Sequence, residues 1–214
     1  MYTLSQTQVS DLFRAVAQQM SWNRDLLCQM DAVMGDGDLG LTMAKGFGAF
    51  PDLFDAVQEA DLGKRLMKAG MGMASTVPST MGTLMSSGIM SGGKKLSGRE
   101  GIDAEGLCLF LEGFCEGIQK RGKCAEGDRT VLDAFAPAAR AARESGAGDL
   151  LATAQAALSG AQRGLEATKT MTPKFGKAAV HSAAAAGRED QGAYAGMLLL
   201  QGVVDYIKQQ GDRK

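Results

Sequence analysis

The sequence predicts an all-α fold. Apolar residues recur at three- and four-residue steps through most of the 214-residue chain. Alternating runs of β-branched residues, the mark of strands, are essentially absent. Proline occurs only 4 times, while glycine and small polar residues gather in short clusters between the periodic stretches. Together these give eight or nine helices.

The elements follow in order. Ser5 offers a hydroxyl cap, and Val9, Leu12, Phe13, Val16 and Met20 then form one apolar stripe. A second helix runs from Asp25 to Val33 on Leu26, Leu27 and Met30. A third, from Gly40 to Phe54, carries Leu41, Met43 and Phe47. Leu62, Leu66 and Met67 mark a fourth from Asp61 to Met73. Leu107, Phe110, Leu111 and Phe114 mark a fifth from Asp103 to Ile118. Thr130 to Arg143, Asp149 to Thr168 and Gln191 to Gln209 complete the set. The breaks fall at Gly35–Gly40, Ser75–Gly82, Gly98–Gly101, Gly122–Gly127, Gly146–Gly148 and Gly187–Gly192. None is long enough to be a free linker, so residues 1–214 are expected to form one domain. The polar tail from Gln209 to Lys214 is expected to fray.

Composition narrows the function. Lys and Arg total 23 against 24 Asp and Glu, a net charge of −1. Such balance leaves no broad basic surface for nucleic acid or anionic lipid. With one histidine, His181, a multi-histidine zinc site is excluded. The cysteines (Cys28, Cys108, Cys115, Cys124) are too scattered for a disulfide frame, and Cys108 and Cys115 are expected to face the core. The N-terminus has no signal-peptide pattern, and no apolar run reaches the ~18 residues a membrane span needs. A cytoplasmic protein is expected.

The chemistry concentrates in Asp31-Ala-Val-Met-Gly-Asp-Gly-Asp-Leu-Gly40. Glycines at 35, 37 and 40 permit a tight reversal that aims Asp31, Asp36 and Asp38 at one point. Three carboxylates so close repel unless a cation lies between them. An all-oxygen set suits Mg²⁺, which keeps positions open for phosphate oxygens. Spacing alone also allows a solvated turn in which Asp38 caps the next helix.

This stretch, continued through Leu41-Thr-Met-Ala-Lys-Gly-Phe47, resembles the signature of the dihydroxyacetone kinase nucleotide-binding module. That module is the L subunit of bacterial enzymes or the C-terminal domain of fused kinases. Three further segments resemble it in the same order: Gly70-Met-Gly-Met-Ala-Ser-Thr-Val-Pro-Ser-Thr-Met-Gly82, Arg121-Gly-Lys-Cys-Ala-Glu-Gly-Asp-Arg-Thr-Val-Leu-Asp133, and Gly187-Arg-Glu-Asp-Gln-Gly-Ala193. The resemblance covers nearly the whole chain.

It implies a barrel of about eight amphipathic helices with the nucleotide, ADP or ATP, among interhelical loops at one end. It implies two Mg²⁺ ions on Asp31, Asp36 and Asp38. Leu39, Gly40, Leu41 and Thr42 match residues along the phosphates, and Thr80 and Met81 match a loop covering them. Gly122 and Val131 match positions around the adenine. Lys177 stands where the family has an arginine beside the phosphates, and Asp190, Gln191 and Gly192 match the last nucleotide loop. Asp128 or Thr130 can cap the helix that starts near Val131. Asp128 and Asp133 are expected to be buried caps rather than catalytic groups, and His181 to take no part in catalysis.

In this family the module holds only the nucleotide, and a separate K subunit or domain binds the triose. The donor is either ATP or a phosphohistidine protein of the phosphotransferase system that rephosphorylates held ADP. The chain departs from the family pattern at Leu39 (usually His), Thr42 (usually Asn), Pro78-Ser79 (usually Gly-Gly), Met81 (usually Ser), Lys177 and Gln191 (usually Pro). Two functions therefore stay open. One is a kinase subunit for dihydroxyacetone or a related ketose or sugar. The other is a catalytically weakened nucleotide-binding or regulatory module that acts by docking to a partner.

Overall fold

The computed structural model describes residues 2–180 and 182–211. Among them are eleven α-helices: α1 (Gln6–Trp22), α2 (Arg24–Ala32), α3 (Leu39–Asp55), α4 (Leu62–Thr76), α5 (Thr80–Lys95), α6 (Ala104–Gly122), α7 (Leu132–Glu144), α8 (Leu150–Ala167), α9 (Gly176–Val180), α10 (Ser182–Ala185) and α11 (Gln191–Gly211). The expected all-α fold is present. One addition is a two-residue antiparallel pair, β1 (Leu4–Ser5) with β2 (Gly101–Ile102), which ties the start of the chain to the start of α6.

Eight of the helices close a ring. In order around it are α1, α3, α4, α5, α6, α7, α8 and α11, and α11 returns to α1. Each turns its apolar stripe inward, so one continuous core lines the barrel. Phe13 lies over Phe50 with ring centroids 4.4 Å apart, and Phe114 meets Phe135 at 4.5 Å. These side chains fill the axis except for a wholly apolar cavity of about 70 Å³. Cys108 and Cys115 are buried in this core as expected, and all four cysteines are free thiols.

The eight helices read from the sequence are not the eight of the ring. The α2 helix packs outside it, against α3. The α5 helix belongs to it and has no counterpart among the helices expected from the sequence. Four of its 16 residues are glycine, each costing roughly 1 kcal/mol of helix propensity. Close packing overrides that cost, because Gly88 and Gly92 lie against Gly117 and Gly113 of α6. The other new helices, α9 and α10, lie in a strap between α8 and α11.

Helix starts are well specified. Ser5 and Gln8 form a reciprocal capping box on α1. Asp61, Ser79, Asp103 and Asp149 each accept an N–H in the first turn of α4, α5, α6 and α8. At the far end α11 stays helical through Gly211, so the expected fraying does not reach Gln209. His181 and the last three residues of the tail lie outside the described residues.

Candidate functional site

At one end of the ring the beginnings of four helices meet. Leu39 opens α3, Thr80 opens α5, Val131 precedes α7 and Gln191 opens α11, and all four line a single cavity of about 330 Å³. That volume suits a small ligand. First-turn amides have no acceptor within their own helix, and the helix dipole adds positive potential there. This end of the cavity therefore favours an anion.

Against it stands the acidic loop. Asp31 lies at the end of α2 and is only 7% exposed. Its Oδ2 accepts the backbone N–H groups of Gly37 (2.9 Å), Asp38 (3.1 Å) and Leu39 (3.4 Å), so the loop is folded around this carboxylate. Its Oδ1 accepts Gln191 Nε2 at 3.3 Å. The three glycines serve different needs. Only Gly37 has a left-handed backbone, φ +77°. A side chain at Gly35 would run into the Asp31 carboxylate, and one at Gly40 into the Arg24 carbonyl.

Asp38 occupies the N-cap position of α3, yet its carboxylate bonds none of the helix amides. Carboxylate oxygens of Asp31, Asp36 and Asp38 lie within 4.8 Å of one another. Burial, then the neighbouring Asp36 and Asp31, pushes the Asp38 carboxyl above the usual range. Asp36 is held below it by a hydrogen bond from Lys177 Nζ at 2.6 Å. One lysine faces three carboxylates, and oxygen ligands alone are what a hard divalent cation takes.

The loop before α7 is braced by Asp128 and Asp133, but neither caps a helix as expected: both accept loop amides instead. Asp128 accepts Ala125 N (2.7 Å) and Lys174 Nζ (2.6 Å). Buried Asp133 accepts Gly127 N (2.5 Å) and Thr130 N (2.6 Å). Thr130 Oγ1 also accepts Leu132 N at 3.2 Å, a local cap on α7.

The strap, described at residues 171–180 and 182–190, crosses the mouth. Lys174 reaches Asp128, Lys177 reaches Asp36, and Gly187 N donates to Lys169 O at 3.1 Å. Its apolar anchor, formed by Met34, Ala178 and Ala185, is separate from the main core.

The structure brings together Asp31, Asp36, Asp38, Leu39, Thr42, Thr80, Met81, Val131, Lys177, Asp190, Gln191 and Gly192 around the cavity. Gly40, Leu41 and Gly122 do not line it. Gly40 packs on α2, Leu41 is 56% exposed and Gly122 lies behind Leu84, which does line it. Sequence reasoning missed Met34, Leu84, Phe175 and, above all, Arg129. Arg129 sits inside a quoted motif, but its burial had no local signal.

Asp190 is buried and caps α11, accepting Ala193 N at 2.8 Å while its own N–H donates to Thr168 Oγ1 at 2.9 Å. Burial raises its carboxyl from 3.8 to about 6. A folded-state value above the unfolded one means the folded chain holds the proton more tightly. The contribution to stability is therefore full below pH 4 and lost as pH rises toward 6, on the order of 2–3 kcal/mol. Urea unfolding of Asp190→Asn should show this part of the pH 4–6 dependence missing relative to the parent. Parallel profiles for the two proteins would rule the shift out.

Comparison with known proteins places this architecture. The DAK2 domain model matches residues 33–205. The chain is 32% identical over 187 residues to the ADP-binding subunit DhaL of PEP-dependent dihydroxyacetone kinase 1 from Listeria innocua, covering 87% of this chain and 89% of that one. It is 27% identical over 201 residues to the corresponding Escherichia coli subunit, covering 93% and 96%. Among solved structures, the dihydroxyacetone kinase of C. freundii in complex with AMP-PNP and Mg²⁺ superposes with a TM-score of 0.70 at 25% identity. The match covers 96% of this chain but 35% of that one. With the family model spanning most of its length, the chain belongs to the DAK2 domain family.

Proposed function

We propose that the chain is the nucleotide-binding subunit of a two-component kinase, folded as one domain over residues 1–214. The carrying observation is the opposition within one cavity of four helix beginnings and three clustered carboxylates. An anion and a cation are favoured side by side, which is the demand of a magnesium-bound di- or triphosphate. Asp31, Asp36 and Asp38 would hold two Mg²⁺ ions. Metal held by these carboxylates would supply charge neutralisation at the transferred phosphoryl group and help align it for in-line attack. Leu39, Thr42, Thr80 and Met81 border the phosphates, and Val131 borders the base. Lys177, paired with Asp36, supplies a positive charge beside the phosphates.

Among the described residues that line the cavity, no serine or threonine hydroxyl donates to a carboxylate. The reading is thus direct phosphoryl transfer to a hydroxyl of dihydroxyacetone or a related ketose or sugar, held by a separate K-type subunit. The two bacterial relatives are ADP-binding subunits of PEP-dependent kinases, which supports ADP as the resident nucleotide. They also support a phosphohistidine protein of the phosphotransferase type as donor, over free ATP. No described helix is long and apolar enough to cross a membrane, and a cytoplasmic location fits this role.

Titration calorimetry with Mg–ADP and Mg–ATP tests the reading. Binding of at least one is expected, and Asp36→Asn should weaken it tenfold or more, about 1.4 kcal/mol. Binding of neither nucleotide would defeat the proposal. Tight binding with no turnover alongside a K-type subunit would favour the docking or regulatory role, in which Leu39, Pro78 and Met81 have replaced catalytic groups.

A further inference from the structure

Arg129 is the one described arginine that is buried, at 3% exposure, and it is buried against the cavity. Its Nη2 donates to the Arg188 carbonyl at 2.9 Å and touches Met34 Sδ at 3.8 Å. Its Nε and Nη1 have no hydrogen-bond partner. Asp190, the anion that acts on it, makes no ion pair with it. A guanidinium carries five donors in a rigid fork. Burying it with two nitrogens unpaired carries a desolvation penalty that the single carbonyl does not offset.

The backbone at Arg129 is also in the left-handed region, φ 60°, which a side chain other than glycine adopts at a cost. The loop enforces it from both sides. Asp133 holds Gly127 N and Thr130 N, and Lys174 N donates to Asp128 O at 3.2 Å. Strain that is so fully braced marks a position held for a purpose. What it holds is a residue of the cavity lining that carries a positive charge and two unused donors just beneath the surface, beside helix beginnings that make the cavity receptive to anions.

We propose that Arg129 is a diphosphate-binding residue: a phosphate oxygen entering the cavity takes up its free donors. This deepens the nucleotide reading and rests on it. Because Nη2 already holds Arg188 O, the same guanidinium would join the bound phosphate to the strap that carries Lys177.

Calorimetry on the full chain separates the possibilities, using Mg–ADP, Mg–pyrophosphate and adenosine on the parent, Arg129→Met and Arg129→Lys. Arg129→Met should weaken Mg–ADP and Mg–pyrophosphate about tenfold or more and leave adenosine within about twofold. Arg129→Lys, which keeps the charge without the fork, should fall between, and it decides the matter if the methionine variant does not fold. Parent-like pyrophosphate affinity in the folded variants overturns the proposal, as does an equal loss for adenosine, which a merely structural role would give. A parent that binds pyrophosphate, with the Arg129 dependence, but neither ADP nor adenosine would uphold Arg129 and defeat the nucleotide reading. A parent that binds neither pyrophosphate nor ADP defeats both.

Discussion

Asp31→Ala is expected to abolish measurable Mg–ADP binding, a loss of roughly a hundredfold or more, and to lower stability by about 2–3 kcal/mol. Both effects come from one carboxylate with two tasks. Oδ2 gathers three successive backbone amides, and that fixes the path from α2 into α3. Oδ1 faces Gln191 and belongs to the acidic set. Without the carboxylate the amides of Gly37 and Asp38 lose their acceptor, and Asp36 and Asp38 are no longer presented together. Asp31→Asn separates the tasks. Its amide oxygen can still accept backbone N–H groups, so urea unfolding should recover much of the stability. The charge is gone, so the affinity should not recover. Mg–ADP binding by Asp31→Ala within threefold of the parent would remove this residue from the site.

The second large effect lies far from the cavity. Gly117→Val should cost about 3 kcal/mol or more. At the α5–α6 seam a β-carbon on Gly113 would lie 2.9 Å from Gly92 Cα, and one on Gly117 2.9 Å from Gly88 Cα. Real β-carbons do not approach backbone so closely, so the helices must separate and lose the contacts that close the ring between them. Gly48→Ala is the control. Gly48 is exposed in the middle of α3 with nothing near its missing side chain, and the change should stabilise by about 0.5–1 kcal/mol. Thermal unfolding reads both, at about 2–4 °C per kcal/mol for a chain of this size. A Gly117→Val protein that melts with the parent would show that the seam tolerates bulk.

The comparison of these two glycines explains how legible the fold was. Helices built on leucine and phenylalanine at regular steps, such as α1 and α6, were readable because burial of one stripe is itself the reason they form. The α5 helix was not. Its inward face includes Gly82, Gly88, Gly92 and Gly93, residues that contribute closeness rather than area, and closeness exists only relative to a partner helix. The acidic trio was readable because 31, 36 and 38 are near in sequence, and the loop glycines announce a reversal. Even so, Gly35 and Gly40 act by leaving room for Asp31 and Arg24 rather than by unusual backbone angles. Arg129 was hidden for the same reason as α5: its importance lies in Arg188 and Met34, 59 and 95 residues away.

The strap has a thermodynamic consequence of its own. Its apolar anchor is the small cluster of Met34, Ala178 and Ala185, cut off from the barrel core. Lifting it breaks a few ion pairs and exposes little hydrocarbon, so its opening free energy is a small fraction of that for global unfolding. Amide exchange and limited proteolysis should therefore register the described strap residues, 171–180 and 182–190, as a separate cooperative unit, cut first while the ring stays folded. A ligand that bridged strap and barrel would slow that cleavage by the full strength of the bridge. It would do so without altering the denaturant slope of the whole chain, because the surface exposed on complete unfolding is unchanged.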